Sequence, residues 1–245
     1  MKDYADRMTR ANRDRSFKNR APRDASTVIL LDRSKGRYHA LLGRRHDRHV
    51  FLPGKFVFPG GRVDRSDGRI PAAAELRPDV TDKLLLDMKR GKGAHGARAL
   101  ALAAIREVFE ETGIAIGRPY EGKPTRSPNW KDFFDLGLAP DLSVLHYVAR
   151  AITPPGRPRR FDTRFFAIDM TETGHSTDEM MRPCDELDEL VWIPVEDADK
   201  LDTQPVTTVV LEELAERLAR DPLLTAPAPI PYYRWIRDRF VRFEI

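Results

Sequence analysis

Arg106-Glu107-Val108-Phe109-Glu110-Glu111-Thr112-Gly113-Ile114 sets three carboxylates, one arginine and one glycine into nine consecutive residues. In a helix, Glu107, Glu110 and Glu111 stand at i, i+3 and i+4 and share one face. Leu102, Ile105, Phe109 and Thr112 recur at helical spacing on another face, which can pack on a core. Gly113 suits the left-handed position just past a helix end. The acids therefore crowd the C-terminal end of their helix, where the macrodipole disfavours negative charge. A hard divalent cation held by carboxylate oxygens would offset that cost. The plainer alternative is a solvated acidic helix face.

Working outward, Phe56-Val57-Phe58-Pro59-Gly60-Gly61-Arg62-Val63 reads as a short apolar strand entering a Pro-Gly-Gly turn. Glycines there let backbone approach a ligand closely. Alone, this segment says little. Followed by Arg106–Ile114, it tips the balance from a solvated face to a site.

Together the two segments resemble the Nudix hydrolase family, whose usual signature is G-x5-E-x7-R-E-U-x-E-E-x-G-U, with U a bulky apolar residue. The second half matches at every defined position from Arg106 through Ile114, and the first half matches at Gly61. About forty residues separate Gly61 from Arg106, far more than the signature allows. The family's early Glu has no clear counterpart, and Glu75, inside the insertion, is not assigned to it. The resemblance implies an α/β architecture, the Nudix fold, with a mixed β-sheet sandwiched between helices. The expected organisation is a basic mobile tail over 1–25 and a hydrolase domain over 26–200. A helical insertion inside the box falls at about 65–97, and a C-terminal helical extension covers 201–245.

A chain of 245 residues can bury a sizeable core. Charged residues make up 33% of it, and no apolar run approaches the roughly 18 residues of a membrane span. The lone Cys184 rules out an internal disulfide and fits a reducing, cytoplasmic setting. The net charge of +4 is local, because residues 1–25 hold eight Lys/Arg against four Asp. That opening segment has few apolar residues and no signal-peptide core, so it reads as a mobile tail or a short polar helix. A nucleic-acid partner is not expected for it, nor a membrane. A small-molecule nucleoside diphosphate derivative is, and a homodimer stays open.

Strands are expected at Ser26–Asp32, Tyr38–Gly43, Ser143–Ile152, Arg160–Asp169 and Leu190–Ile193. The box helix should span about 97–112, with a further helix in the insertion at Val80–Lys89. An amphipathic helix is expected over Val206–Ala219 and a terminal one over Tyr232–Phe243.

The resemblance also implies the chemistry. A diphosphate repels incoming hydroxide, and divalent cations polarise phosphoryl oxygens and acidify bound water. Glu107, Glu110 and Glu111 match the family's metal ligands for Mg2+ or Mn2+, and the Gly61 carbonyl its backbone ligand. Arg106 matches the arginine that orients a ligand Glu by ion pairing. Glu186 and Glu189 are candidate bases, because the segment before Val191-Trp192-Ile193-Pro194 supplies catalytic acids in some relatives.

For substrate, Leu41–Arg45, Gly54 and Phe58–Asp64 are together similar to the coenzyme A diphosphatase branch. That branch places a His and an acid where this chain has Leu52 and Lys55. The branch named for Nudix motif 19, which includes acyl-CoA hydrolases, is the nearer likeness. It shares FVFPGGRVD, the long insertion and a downstream RRFDTRFF, here Arg159–Phe166. As a strand, Arg160, Asp162 and Arg164 share a face that could receive phosphates or could pair with itself. Arg44, Arg45, His46, Arg48 and His49 form a second basic cluster. Arg44, Arg45, Arg62, Arg160 and Arg164 are the expected substrate contacts. Coenzyme A or acyl-CoA cleavage is the first expectation, and ADP-ribose or dinucleotide cleavage the alternative. A non-catalytic binding or regulatory module comes third, because such modules usually lose box carboxylates and this box keeps all three.

Overall fold

A computed structural model describes residues 3–11, 16–34, 36–48, 53–89, 91–123, 125–173 and 186–245. Leu52, His49 and Cys184, named above, lie outside the described residues. In chain order the elements are α1 (Tyr4–Ala11), β1 (Arg23–Asp32), β2 (His39–Arg45), β3 (Phe56–Val57), β4 (Gly60–Arg62), α2 (Pro78–Leu85), α3 (Gly93–Thr112) and β5 (Gly117–Pro119). There follow α4 (Lys131–Asp135), β6 (Leu138–Pro140), β7 (His146–Ile152), β8 (Phe161–Asp169), β9 (Leu187–Pro194), α5 (Pro205–Arg220), β10 (Pro231–Ile236) and β11 (Arg239–Glu244).

The main sheet is mixed and runs β11-β10-β7-β8-β1-β2-β3, with β4 pairing β1 and β9 pairing β2. Its centre is β1, which is parallel to β8 from Arg23↔Phe161 to Leu31↔Asp169. Strand alternation sends Val28, Leu30, Leu41, Phe166 and Ile168 into a core with α2, α3 and the aromatic cluster Trp130, Phe133 and Phe134. Ile29, Leu31, Leu42, Phe165 and Ala167 pack the other way, against α1, α5 and the final hairpin. Near-continuous apolar runs such as 28–31 are what a sheet covered on both faces requires. Leu102, Ile105 and Thr112 are fully buried on α3, as their spacing predicts.

Three elements depart from the sequence expectation. Residues 4–11 form α1, the short-helix alternative, but a docked rather than a solvated one, with Tyr4 and Met8, one turn apart, buried. Tyr4 donates to Glu216 at 2.8 Å, Arg7 to Glu212 at 2.7 Å, and Thr9 accepts from the Phe240 backbone at 2.9 Å. Two buried side chains and three polar ties dock a helix whose composition alone looks solvated.

The second departure is the C-terminal extension, which is only half helical. Tyr232–Phe243, expected as a helix, is the antiparallel hairpin β10–β11. Its aromatic residues fall at spacings that fit a helix or a strand equally. The turn residues Arg237 and Asp238 both take positive φ, 45° and 65°, as a tight hairpin turn needs, without the usual Asn-Gly signal.

The third is β1, which begins at Arg23, three residues before the expected strand. Those residues pair with the start of β8.

Candidate active site

The glutamates stand on the last two turns of α3, and Gly113 ends the helix in the left-handed region at φ 78°, its N–H bonded to the Phe109 carbonyl. No basic residue lies in that last turn. Arg106 supplies the positive charge from one turn back. Only 5% exposed, it donates through Nη1 to Glu107 Oε1 at 2.9 Å and to Glu110 Oε2 at 2.8 Å. Its other edge donates to Asp67, Nε to Oδ1 at 3.0 Å and Nη2 to Oδ2 at 3.1 Å, and Nη2 also reaches the Arg62 carbonyl at 2.9 Å.

Sequence reasoning missed Asp67. It is fully buried and also accepts from Trp130 Nε1 at 3.1 Å and the Asp64 backbone at 2.8 Å. It sits in the insertion, where only the turn-like Asp64-Arg-Ser-Asp-Gly68 hinted at local order. Glu75 instead pairs with Arg98 at 2.8 Å on the surface.

The Pro-Gly-Gly turn meets the same carboxylates. Thr27↔Gly60 and Ser26↔Gly61 register β4 on the central strand, and Gly60 N–H donates to Glu111 Oε2 at 2.9 Å. A Cβ on Gly61 would lie 2.4 Å from the Glu107 carboxyl carbon, so a side chain there would push that carboxylate out of place. The insertion loops out and leaves Gly60–Gly61 against the glutamates despite the long gap in sequence.

Charge in this recess is unbalanced. Burial, with Glu110 adding to it, pushes Glu107 up to about 7 in spite of Arg106. Burial also raises Glu110 against the pull of Arg106. Glu111, 3% exposed, is raised well above the usual carboxylate range by burial and then by Glu107. For Arg106, burial works against the charge, yet the hydrogen bonds to Asp67 and the charges of Glu107 and Glu110 more than offset it and raise its pKa.

An oxygen-only donor set with too little positive charge around it has the chemistry a hard divalent cation requires. Among the described residues, no three His, Cys, Asp or Glu side chains converge as a metal cluster. Here Arg106 holds Glu107 and Glu110, and Gly60 holds Glu111.

The recess opens into a cleft of about 680 Å³, within the size range of small-molecule sites. Glu107, Glu110, Gly61 and Arg106 line one part of it. Arg45, Arg62, Arg65, Arg157 and Arg159 bring cationic groups from several segments, and Met8, Phe58, Phe165 and Phe240 give an apolar wall. Of the expected substrate contacts, Arg45 and Arg62 line the cleft; Arg157 and Arg159 were not foreseen as contacts. Arg44 instead pairs with Asp47 at 3.3 Å and Asp188 at 3.7 Å. Glu186 lines the cleft beside Arg45, 3.7 Å away. Glu189 is exposed on β9 and does not line the cleft.

Of the two readings of the β8 face, the structure shows the self-paired one for Asp162 and Arg164. Phe161, Thr163 and Phe165 line the cleft. Arg160, Asp162 and Arg164 face the other side of the sheet. Arg164 is 1% exposed and bonded to Asp24 at 3.1 Å and Asp162 at 3.0 Å. Asp162 also takes two bonds of 2.9 Å from the buried Arg150. Arg160 binds the Thr153 and Arg20 carbonyls and Asn19. Arg164 is paired with acids within the fold, and Arg160 is held by neutral oxygens on the face turned away from the cleft, so neither arginine lines it.

Fold and site together define a protein with the Nudix fold and the second half of the Nudix hydrolase box. A Nudix hydrolase crystal structure from Alicyclobacillus acidocaldarius superposes with a TM-score of 0.58 at 29% identity, covering 80% of this chain and 92% of that one. In sequence the chain resembles the acyl-coenzyme A diphosphatases named NUDT19. It is 29% identical to that of Gallus gallus, over 59% of this chain and 54% of that protein. It is 25% identical to that of Homo sapiens, over 55% and 48%. The chain thus matches about half the length of these curated relatives. No family model matches it.

Proposed function

We propose that this protein hydrolyses the diphosphate of coenzyme A or an acyl-CoA with the help of Mg2+ or Mn2+. The observation that carries this reading is the single cleft joining the box glutamates to arginines from separate segments and to an apolar wall. Coenzyme A has parts to match all three: a diphosphate, a separate 3′-phosphate on the ribose to one side of it, and on the other side a long arm that ends in an apolar acyl group when loaded. The NUDT19 relatives, acyl-coenzyme A diphosphatases by name, support the same choice.

Glu107, Glu110 and Glu111, with the Gly61 carbonyl, would hold the cation, which supplies polarisation of a phosphoryl oxygen and acidification of bound water. Arg106 fixes Glu107 and Glu110 at 2.9 and 2.8 Å, so the carboxylates meet substrate already oriented. Arg45, Arg62, Arg157 and Arg159, which all line the cleft, take the phosphates by charge-assisted hydrogen bonds. Glu186, exposed and beside the glutamates, is the candidate proton acceptor. Phe58 and Phe165 exclude water from the arm.

The test is a panel of coenzyme A, an acyl-CoA, dephospho-coenzyme A, ADP-ribose and a dinucleotide, each with Mg2+, ranked by kcat/KM. Coenzyme A species should lead, and dephospho-coenzyme A should trail them. ADP-ribose or the dinucleotide far ahead of every coenzyme A species would overturn the substrate.

A further inference from the structure

The cleft leaves one cluster of cationic side chains unexplained. A second cavity of about 140 Å³ lies between α2, the last turn of α5, the start of β7 and the chain just after α5. Arg77, Lys83, His146 and Arg217 line it, with Asp79 as the one acid. It shares no lining residue with the catalytic cleft.

Its cations are held mainly by neutral partners. Arg77 donates to the Ser143 carbonyl at 2.6 Å and contacts His146 Nδ1 at 3.2 Å. Lys83 donates to the Ala228 carbonyl at 2.6 Å. Arg217 reaches the Tyr147 and Leu224 carbonyls at 3.3 Å each, and its Nε is buried with no hydrogen-bond partner. Among the described residues, the ion pair at these cations is Arg77 to Asp79 at 3.4 Å, and the Asp79 side chain is 66% exposed. Asp221 is nearby but accepts from the Thr225 and Ala226 backbone.

Carbonyl dipoles satisfy N–H groups without cancelling charge, and partly buried cations without counter-charge are costly. The cost is visible in the side chains themselves. Burial lowers the pKa of Lys83, with Arg217 adding to the effect, and burial lowers that of Arg217. Burial and then Arg77 hold His146 down at about 4, so it stays neutral at pH 7 and can donate or accept.

We propose that this cavity binds a phosphate dianion, either inorganic phosphate or the terminal phosphate of a phosphomonoester. A void of this size holds one tetrahedral oxyanion. Two guanidinium groups and one ammonium around it are the donors that bind such groups with charge assistance. Bound there, the anion clamps α2, which packs on the box helix through Val80 and Leu84, to the end of α5. The proposal is independent of the substrate assigned to the cleft.

The test is calorimetric titration of the full chain, free of divalent metal, with inorganic phosphate against chloride at equal ionic strength. Because the catalytic cleft can also take phosphate, Lys83→Gln and Arg217→Gln decide the location. Lys83 is tied to the fold by its hydrogen bond to the Ala228 carbonyl, so its replacement should leave the fold intact. Loss of one charged donor should weaken the site about tenfold or more. Crystals soaked in tungstate should show an anomalous peak between Arg77, Lys83 and Arg217. Competition by adenosine 3′,5′-bisphosphate would assign the site to a phosphomonoester, and its failure to compete to free phosphate. Unchanged phosphate affinity in Lys83→Gln, a tungstate peak in the catalytic cleft alone, or no phosphate binding at all would overturn the proposal.

Discussion

Replacing Asp67 with asparagine should damage both stability and turnover, although Asp67 does not line the cleft. The carboxylate is fully buried and accepts from two Arg106 nitrogens, from Trp130 Nε1 and from the Asp64 backbone. Asparagine keeps the shape but turns one acceptor into a donor that faces other donors. Breaking a buried ion pair costs about 3–5 kcal/mol when the remaining charge is stranded. Arg106 would still have Glu107 and Glu110, so the lower end applies, about 3 kcal/mol. For a chain of this size each kcal/mol shifts Tm by roughly 2–4 °C, so Tm should fall by about 6–12 °C. Arg106 would lose the support that aims it at Glu107 and Glu110, and kcat should fall about tenfold or more with KM little changed. Thermal unfolding and steady-state kinetics on the same preparation read both effects. An unchanged Tm, or an unchanged kcat in a destabilised protein, would refute the claim that Asp67 positions Arg106.

Glu110→Gln and Glu111→Gln should each lower kcat by roughly a hundredfold, as expected for loss of a charge-stabilising group. Glu111→Gln should also raise the Tm of the metal-free protein at pH 8, measured by scanning calorimetry, because it removes a buried carboxylate whose raised pKa opposes folding once it ionises. Arg164→Ala should cost about 3 kcal/mol in urea unfolding, the lower end for a broken buried pair because Asp162 keeps Arg150 and Asp24 keeps Lys89 and Lys92, and leave KM for coenzyme A within about twofold. His146, held at about 4 against 6.5 when unfolded, contributes stability that is complete above pH 6.5 and lost as pH falls toward 4. The loss approaches roughly 2–3 kcal/mol. His146→Asn should flatten that limb of the urea-unfolding pH profile.

The legible parts of this chain are those where local pattern and tertiary demand coincide. Arg106–Ile114 shows its helix, its acidic face and its glycine stop in nine residues. Strands β1, β2, β7, β8 and β9 are apolar enough to be found within a few residues of their ends. The obscure parts depend on contacts distant in sequence. Asp67 matters because Arg106, 39 residues later, folds onto it. Alternation along β8 identified two faces, but not that Asp24 and Arg150 would neutralise one and leave the other lining the cleft. Tyr4 and Met8 become core residues only because α5 and the final hairpin offer them a surface. That hairpin was hidden by an Arg-Asp turn with no glycine.

Cleavage of coenzyme A in heavy-oxygen water, followed by mass spectrometry of every product, tests the central claim most directly. With Mg2+ or Mn2+ the products should be adenosine 3′,5′-bisphosphate and 4′-phosphopantetheine, one of them carrying a single heavy oxygen. The reaction should stop when the metal is chelated and should be nearly absent in Glu111→Gln. Intact coenzyme A, label incorporated by cleavage anywhere other than the diphosphate, or equal rates in chelator and in Glu111→Gln would contradict a metal-assisted diphosphatase built on the α3 glutamates.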